Sequence, residues 1–428
     1  MNPPEVVVTG AGLTTPLGTG VEANWLGVQA SRTGIAHFPR QGLPNCFQYF
    51  GKVRELSLPA VNSRSLAAQM KFLSRGAQLG FAAACEATEG AGVDLAATTP
   101  GRRALYIASG DYSKAGFEFL YPVTREATGG NWEAVDFETL NQATLTSVNP
   151  FFLLESIPNN LFSFLSAFYD FKGPNTSLAS LSPCGNQALE LACRSIQQGR
   201  SDVALAVGYG HWITEIPIFD LEGLGLLSKC RAGAASFRPF DRSRDGFIPG
   251  EGGAALFLEN AELAGRRGAR IMATIRGSTS GVEPSAHGSF GVVERVSLRC
   301  MRKALEDARG GIDELAFVSA HGSATRKGDR SELLSCAELL AGQEAQVPIC
   351  GMKSYTGHMG AASDLAEIIL GIKAAAEGIV PGTLNYTKVE DEFSQLNLSG
   401  CHQRCVKRSF LSTSYGLGGQ ASAIVVTV

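Results

Sequence analysis

Three residues in this chain have the type and setting for covalent chemistry: a cysteine that precedes a helix and two histidines that follow strands. Cys184 stands in Ser180-Leu181-Ser182-Pro183-Cys184-Gly185-Asn186, where a strand-like stretch runs into a helical pattern over 185–198. At a helix N-terminus, unpaired backbone N–H groups and the helix dipole favour a thiolate over a thiol. The expectation is a Cys184 pKa below the free value of about 8.5, with the thiolate as the attacking species. Gly185 would let a substrate approach the backbone. A lone cysteine is more often a small buried hydrophobe. Cys85, Cys193 and Cys336, on expected helices, are read that way.

Of six histidines, two follow apolar strands and open glycine-containing loops: Ala316-Phe317-Val318-Ser319-Ala320-His321-Gly322 and Ile349-Cys350-Gly351 through Thr356-Gly357-His358. Residues at strand ends in an α/β protein tend to face the ligand crevice. Two imidazoles near a thiol could hydrogen-bond one acyl oxygen on which enolate charge develops. Taken singly, each is as readily a hydrogen-bonded structural histidine. His287, in Ala286-His287-Gly288-Ser289, lacks a preceding strand and is read as a surface residue.

These residues need a scaffold. Strands are expected at 5–9 (closed by Gly10-Ala11-Gly12), 104–109, 203–207, 254–258, 271–275, 316–319 and 423–428. Helices are expected at 65–90, 185–198, 292–308, 330–340 and 362–376. Strands alternating with helices of this length imply wound α/β units, and the second half repeats the pattern of the first. The 428 residues are long for one core; 44% are hydrophobic and 18% charged, which suits a compact enzyme. The 37 basic and 40 acidic residues nearly cancel, so neither nucleic acid nor an anionic membrane is the expected partner. No apolar run approaches a membrane span, no signal-peptide pattern opens the chain, and the ten cysteines show no CxxC pairs. Neither a metal site nor a disulfide framework is expected, and a cytoplasmic location is.

Six segments, in order, resemble the elongating β-ketoacyl-ACP synthases and the related polyketide ketosynthases: 6–18 (VVVTGAGLTTPLG), 149–174, 238–253 (RPFDRSRDGFIPGEGG), 321–332 (HGSATRKGDRSE), 353–358 (KSYTGH) and 414–419 (SYGLGG). The resemblance spans nearly the whole chain. It implies a thiolase fold, a duplicated αβαβα five-layered core, divided here into a half carrying the cysteine (1–262) and one carrying both histidines (263–428). By the same resemblance, Cys184 takes an acyl chain as a thioester. His321 and His358 bind the malonyl thioester carbonyl and promote loss of carbon dioxide. The backbone N–H groups of Cys184 and Leu417 form the oxyanion hole, Lys353 and Glu367 support the histidine loops, and Ser323 and Thr325 touch the phosphopantetheine arm. No cofactor is bound permanently: the substrates ride on an acyl carrier protein. A homodimer, or a heterodimer with a chain-length-factor-like subunit, is implied, with the aromatic stretch 150–171 at the interface.

Three departures bear on the substrate. Ser182-Pro183-Cys184-Gly185-Asn186 replaces the usual Thr-Ala-Cys and small residues, Leu417 stands where a gating Phe is common, and Met359-Gly360-Ala361-Ala362-Ser363-Asp364 shifts a glycine found in relatives. They favour a specialised fatty-acid or polyketide-type pathway over housekeeping elongation. The other readings are a thiolase or initiating synthase, a non-catalytic chain-length subunit, a non-decarboxylating acyltransferase and a Cys-His hydrolase. Two histidines beside a retained cysteine argue against the first two.

Overall fold

The computed structural model describes residues 3–110, 117–148, 150–152, 154, 160–284, 292–342 and 347–428. His287 lies outside them. Ten strands carry the architecture: β1 (Val6–Thr15), β2 (Arg103–Ser109), β3 (Asn175–Ala179), β4 (Val203–His211), β5 (Glu251–Asn260), β6 (Ala273–Val282), β7 (Leu315–Ala320), β8 (Pro348–Gly351), β9 (Ser409–Tyr415) and β10 (Gln420–Thr427). They run β3-β2-β4-β5-β1 in the first half and β8-β7-β9-β10-β6 in the second. Numbered within each half, both orders are 3-2-4-5-1. In both, the third and fourth strands flank the second in parallel and the fifth and first are antiparallel. The expected duplication is therefore present in topology. The two sheets join where β1 and β6 pair over three residues, Val6 to Val8.

Five helices complete the layers: α1 (Arg75–Ala91), α2 (Cys184–Gln197), α3 (Leu298–Ala308), α4 (Arg326–Leu339) and α5 (Ala361–Glu377). α1 covers the outside of the first sheet, α2 and α5 lie between the sheets, and α3 and α4 cover the second. That makes five alternating layers. α2 and α5 are buried on nearly all sides, as a helix between two sheets must be.

Several elements differ from the sequence reading, each for a local reason. β1 does not close at Gly10-Ala11-Gly12 but runs on to Thr15. A Cβ on Gly10 or Gly12 would lie 1.9 Å from the carbonyl oxygens of Ala87 and Ala83, so these glycines admit α1 rather than make a turn. The helix expected over 65–90 breaks, because Ser74 caps a new helix through the N–H of Ala77. The helix expected from 292 begins at Leu298. The Ser331 and Ser335 hydroxyls take up the N–H groups of Val296 and Ser297 just before it. β6 begins two residues later than expected and extends to Val282.

Gly185 also has a different duty from the one expected. A Cβ there would stand 2.3 Å from the Ala361 carbonyl oxygen, so its missing side chain makes room for α5, not for substrate. Gly185→Ala should lower the unfolding free energy by ~1–3 kcal/mol through overpacking at this helix crossing. Urea unfolding of the wild type and the variant would measure it.

Candidate active site

Cys184 is the first residue of α2, and no side chain of its own loop caps that helix. Asp364, on α5, does so instead: its Oδ2 accepts the N–H of Gly185 at 2.9 Å. A carboxylate thus fills the position where the helix dipole was expected to favour a thiolate. Cys184 is fully buried, and its Sγ donates to the Ser180 carbonyl at 3.1 Å. Burial, then the charge of Asp364, push the thiol well above its ordinary value. This overturns the expected low pKa. The sequence shows the helix end but not what occupies it.

The histidines are held by different means. His321 follows β7, and α4 clamps its loop: Glu332 accepts the N–H of His321 at 2.7 Å and that of Gly322 at 2.9 Å. His321 Nδ1 lies 3.2 Å from Ser414 Oγ, which in turn donates to Asp364 Oδ1 at 2.7 Å. His358 stacks on Trp212, with ring centroids 4.8 Å apart. Its Nδ1 accepts the N–H of Gly360 at 3.2 Å, which leaves its proton on Nε2. The two imidazole centroids are 5.3 Å apart. Burial first, then Lys353 and His358, hold His321 well below the ordinary imidazole range; burial and Lys353 do the same to His358. Both rings are neutral at pH 7.

Lys353 and Glu367, placed by the sequence reading in support of the histidine loops, meet in a buried ion pair. Lys353 Nζ donates to the two Glu367 oxygens at 2.8 and 2.9 Å and to the His321 carbonyl at 2.7 Å. Burial pushes the Glu367 carboxyl up, with Lys353 pulling against it. Removing one partner of such a pair costs ~3–5 kcal/mol, since the other is left charged and dry. The pair therefore fixes β8's loop to α5.

Ser323 and Thr325 share a hydroxyl–hydroxyl hydrogen bond of 2.8 Å, and Ser323 also reaches the Tyr415 hydroxyl at 3.0 Å. Both line a cavity with His321, His358, Trp212 and Leu417. Leu417 opens a short turn in which Gly418 has φ 79°. Cys184 is not part of the lining. It joins the histidine side through the chain Gly185 N–H, Asp364, Ser414, His321.

Asp364, Ser414 and Glu332 were not singled out from sequence. The signal for Asp364 was visible: a charge within the otherwise small and apolar run Met359-Gly360-Ala361-Ala362-Ser363-Asp364-Leu365. The 238–253 motif is structural. Buried Arg244 donates to Glu390 at 2.7 Å, and Asp329 accepts the N–H of Phe240 at 2.7 Å and of Ala324 at 2.9 Å. Among the described residues, no cluster of His, Cys, Asp or Glu could hold a metal ion, and no helix is long and apolar enough to cross a membrane.

A duplicated five-layered body with its cysteine on the central helix is the architecture of the thiolase fold. A type II polyketide ketosynthase, solved with its acyl-carrier protein and bound to a hexaketide, superposes with a TM-score of 0.84 at 24% identity, covering 100% of both chains. Residues 4–264 and 272–387 match the β-ketoacyl synthase N-terminal and C-terminal domains, and the chain belongs to the β-ketoacyl synthase family. It is 28% identical to 3-oxoacyl-(acyl-carrier-protein) synthase 2 of Vibrio cholerae, with 99% of both chains covered. It is also 28% identical to the tetracenomycin ketoacyl synthase alpha subunit of Streptomyces glaucescens, over 98% of this chain and 96% of that one.

A buried, protonated thiol should alkylate slowly. At pH 7.5 iodoacetamide should label Cys401, which is exposed, well before Cys184. Peptide mass mapping over a time course checks the order.

Proposed function

We propose that the protein condenses an acyl group held on Cys184 with a malonyl thioester, with loss of carbon dioxide, to give a 3-oxoacyl thioester. The observation that carries this reading is the pairing of two buried, neutral imidazoles around one cavity, the second with its proton on Nε2. Neutral N–H donors stabilise a developing enolate without first being discharged. A non-decarboxylating acyltransferase would have no use for the second ring. Cys184 is the nucleophile, the Cys184 and Leu417 N–H groups form the oxyanion hole, Lys353 and Glu367 hold the histidine loops, and Ser323 and Thr325 contact phosphopantetheine. The division of the chain falls at 262–263, each half supplying one sheet.

Acyl carrier protein is the partner that delivers both substrates, as the ketosynthase solved with its carrier supports. A homodimer, or a heterodimer with a chain-length-factor-like subunit, is the assembly. β3 is a sheet edge with alternating exposed residues, open to pairing across a two-fold axis. Of the aromatic stretch, Phe151 is exposed, whereas Phe164 and Phe168 pack inward on Phe81. All ten cysteines are free thiols, which supports the cytoplasm as the compartment.

Cys184→Ala should abolish covalent acyl loading. His321→Ala and His358→Ala should each cut carbon dioxide release from malonyl-ACP by about two orders of magnitude while sparing loading more. Intact-mass spectrometry and a carbon dioxide assay read the two half-reactions; equal losses of both in either histidine variant contradict the assignment.

Cys184 has no solvent exposure and lies outside the lining of the cavity that Leu417 borders, so an acyl chain reaches it only if that wall, the Leu417 turn included, moves. Leucine closes less tightly than a Phe ring, which supports a specialised pathway handling stiff or unsaturated chains. Leu417→Phe should slow such chains selectively and leave short saturated ones nearly untouched, measured by competition between acyl-ACPs. An unchanged preference removes the specialised reading.

A further inference from the structure

Ser414 has one proton and stands between two groups that could take it, Asp364 Oδ1 at 2.7 Å and His321 Nδ1 at 3.2 Å. With Asp364 ionised, the proton goes to the carboxylate, and Ser414 Oγ accepts from His321 Nδ1–H. The imidazole then presents a bare Nε2. With Asp364 neutral, every bond in the chain reverses, and His321 carries its proton on Nε2.

This matters because burial, Lys353 and His358 all oppose a second proton on His321. The chain removes that obstacle. A proton arriving at Nε2 moves the Nδ1 proton to Ser414 and the Ser414 proton to Asp364. No imidazolium forms, and a buried carboxylate is neutralised. Asp364 is suited to receive it, since burial raises its pKa to about 6 against the pull of Lys353, Ser414 and the N–H groups of Gly185 and Asn186. The other titratable groups that feel its charge are Cys184 on α2 and Glu367 on its own helix.

We propose that Asp364 is a positioning residue that stores, through Ser414 and His321, the proton Cys184 gives up while the acyl group is bound. The proposal rests on the condensing role given above to Cys184 and the two histidines. On loading, the Cys184 S–H bond breaks as sulfur bonds to the acyl carbon. The carrier thiolate leaves and takes a proton from water, and the Cys184 S–H, which points at the Ser180 carbonyl in the resting structure, turns to His321 Nε2 and gives its proton through it to Asp364. His321 now offers Nε2–H beside that of His358, so two donors face the malonyl carbonyl. The bond to the carboxylate breaks, carbon dioxide leaves, and the enolate carbon bonds to the acyl carbon. The Cys184 thiolate departs and recovers its proton by the reverse path. One proton from water is consumed per turnover, which balances the carboxylate lost as carbon dioxide.

The proposal makes the two half-reactions respond in opposite directions. Loading requires ionised Asp364, so the wild-type rate of Cys184 acylation by hexanoyl-CoA should fall as pH drops through about 6. Asp364→Asn keeps the size but cannot accept the proton, and its amide donates to Ser414, fixing Nε2–H on His321. Single-turnover acylation at pH 7.5 should slow by about tenfold or more and lose the acid limb. Carbon dioxide release from malonyl-CoA, measured in a Cys184→Ala background, should rise about threefold. Ser414→Ala should slow loading as Asp364→Asn does, and decides the question if the latter does not fold. Full-rate loading with an unchanged acid limb, or a parallel fall in both half-reactions, overturns the proton store. Wild-type protein that loads but releases no carbon dioxide overturns the condensing reading itself.

Discussion

The first turn of α5 lies so close to the first turn of α2 that a methyl group at Gly185 would stand 2.3 Å from the Ala361 carbonyl oxygen. The site depends on this contact. It sets Asp364 against the Gly185 N–H, aligns Ser414 with His321, and leaves Glu367 one turn along to meet Lys353. The helix carrying the nucleophile and the loops carrying the histidines come from different halves. A small displacement at the crossing would therefore separate groups held within hydrogen-bond range of one another.

The same crossing sets the electrostatics. Lys353 is one ammonium group amid the carboxylates of Glu367, Asp364 and Glu332, all buried. It adds to the burial that keeps both imidazoles neutral, and opposes the upward pull of burial on Glu367 and Asp364. The two histidines are consequently unlike. His358 has a backbone N–H on its inner nitrogen and one fixed tautomer, whereas His321 has a hydroxyl there, which can give or accept. An enzyme that must move a proton in one step and donate hydrogen bonds in the next has use for one ring of each kind.

Much of the scaffold was legible because buried strands and long helices announce themselves by pattern: β2, β7, α2 and α5 fall within a few residues of the expected places. The duplication was legible as repeated grammar, and the placement of His321 at a strand end as a loop following an apolar run, whereas His358 stands beyond a helical turn, Lys353–Thr356, that intervenes after its strand. The glycines were misread. Gly10, Gly12 and Gly185 look like turns or substrate clearance in one dimension, but they are clearances for helices far away in sequence. The Cys184 pKa was misread for a related reason: a helix N-terminus is a local feature, while the carboxylate that fills it lies 180 residues downstream, by the numbering of Cys184 and Asp364. Asp364 itself stood out in an apolar run, yet its partner Ser414 carried no signal of its own.

Trp212 stacks on His358 at 4.8 Å, while the other two tryptophans, Trp25 and Trp132, lie elsewhere in the fold. A neutral imidazole leaves indole emission bright, and a protonated or displaced one quenches or shifts it. The protein thus carries an optical probe against the ring that never changes tautomer. Entry of a ligand that displaces the His358 ring should change the Trp212 share of the emission, with no label attached.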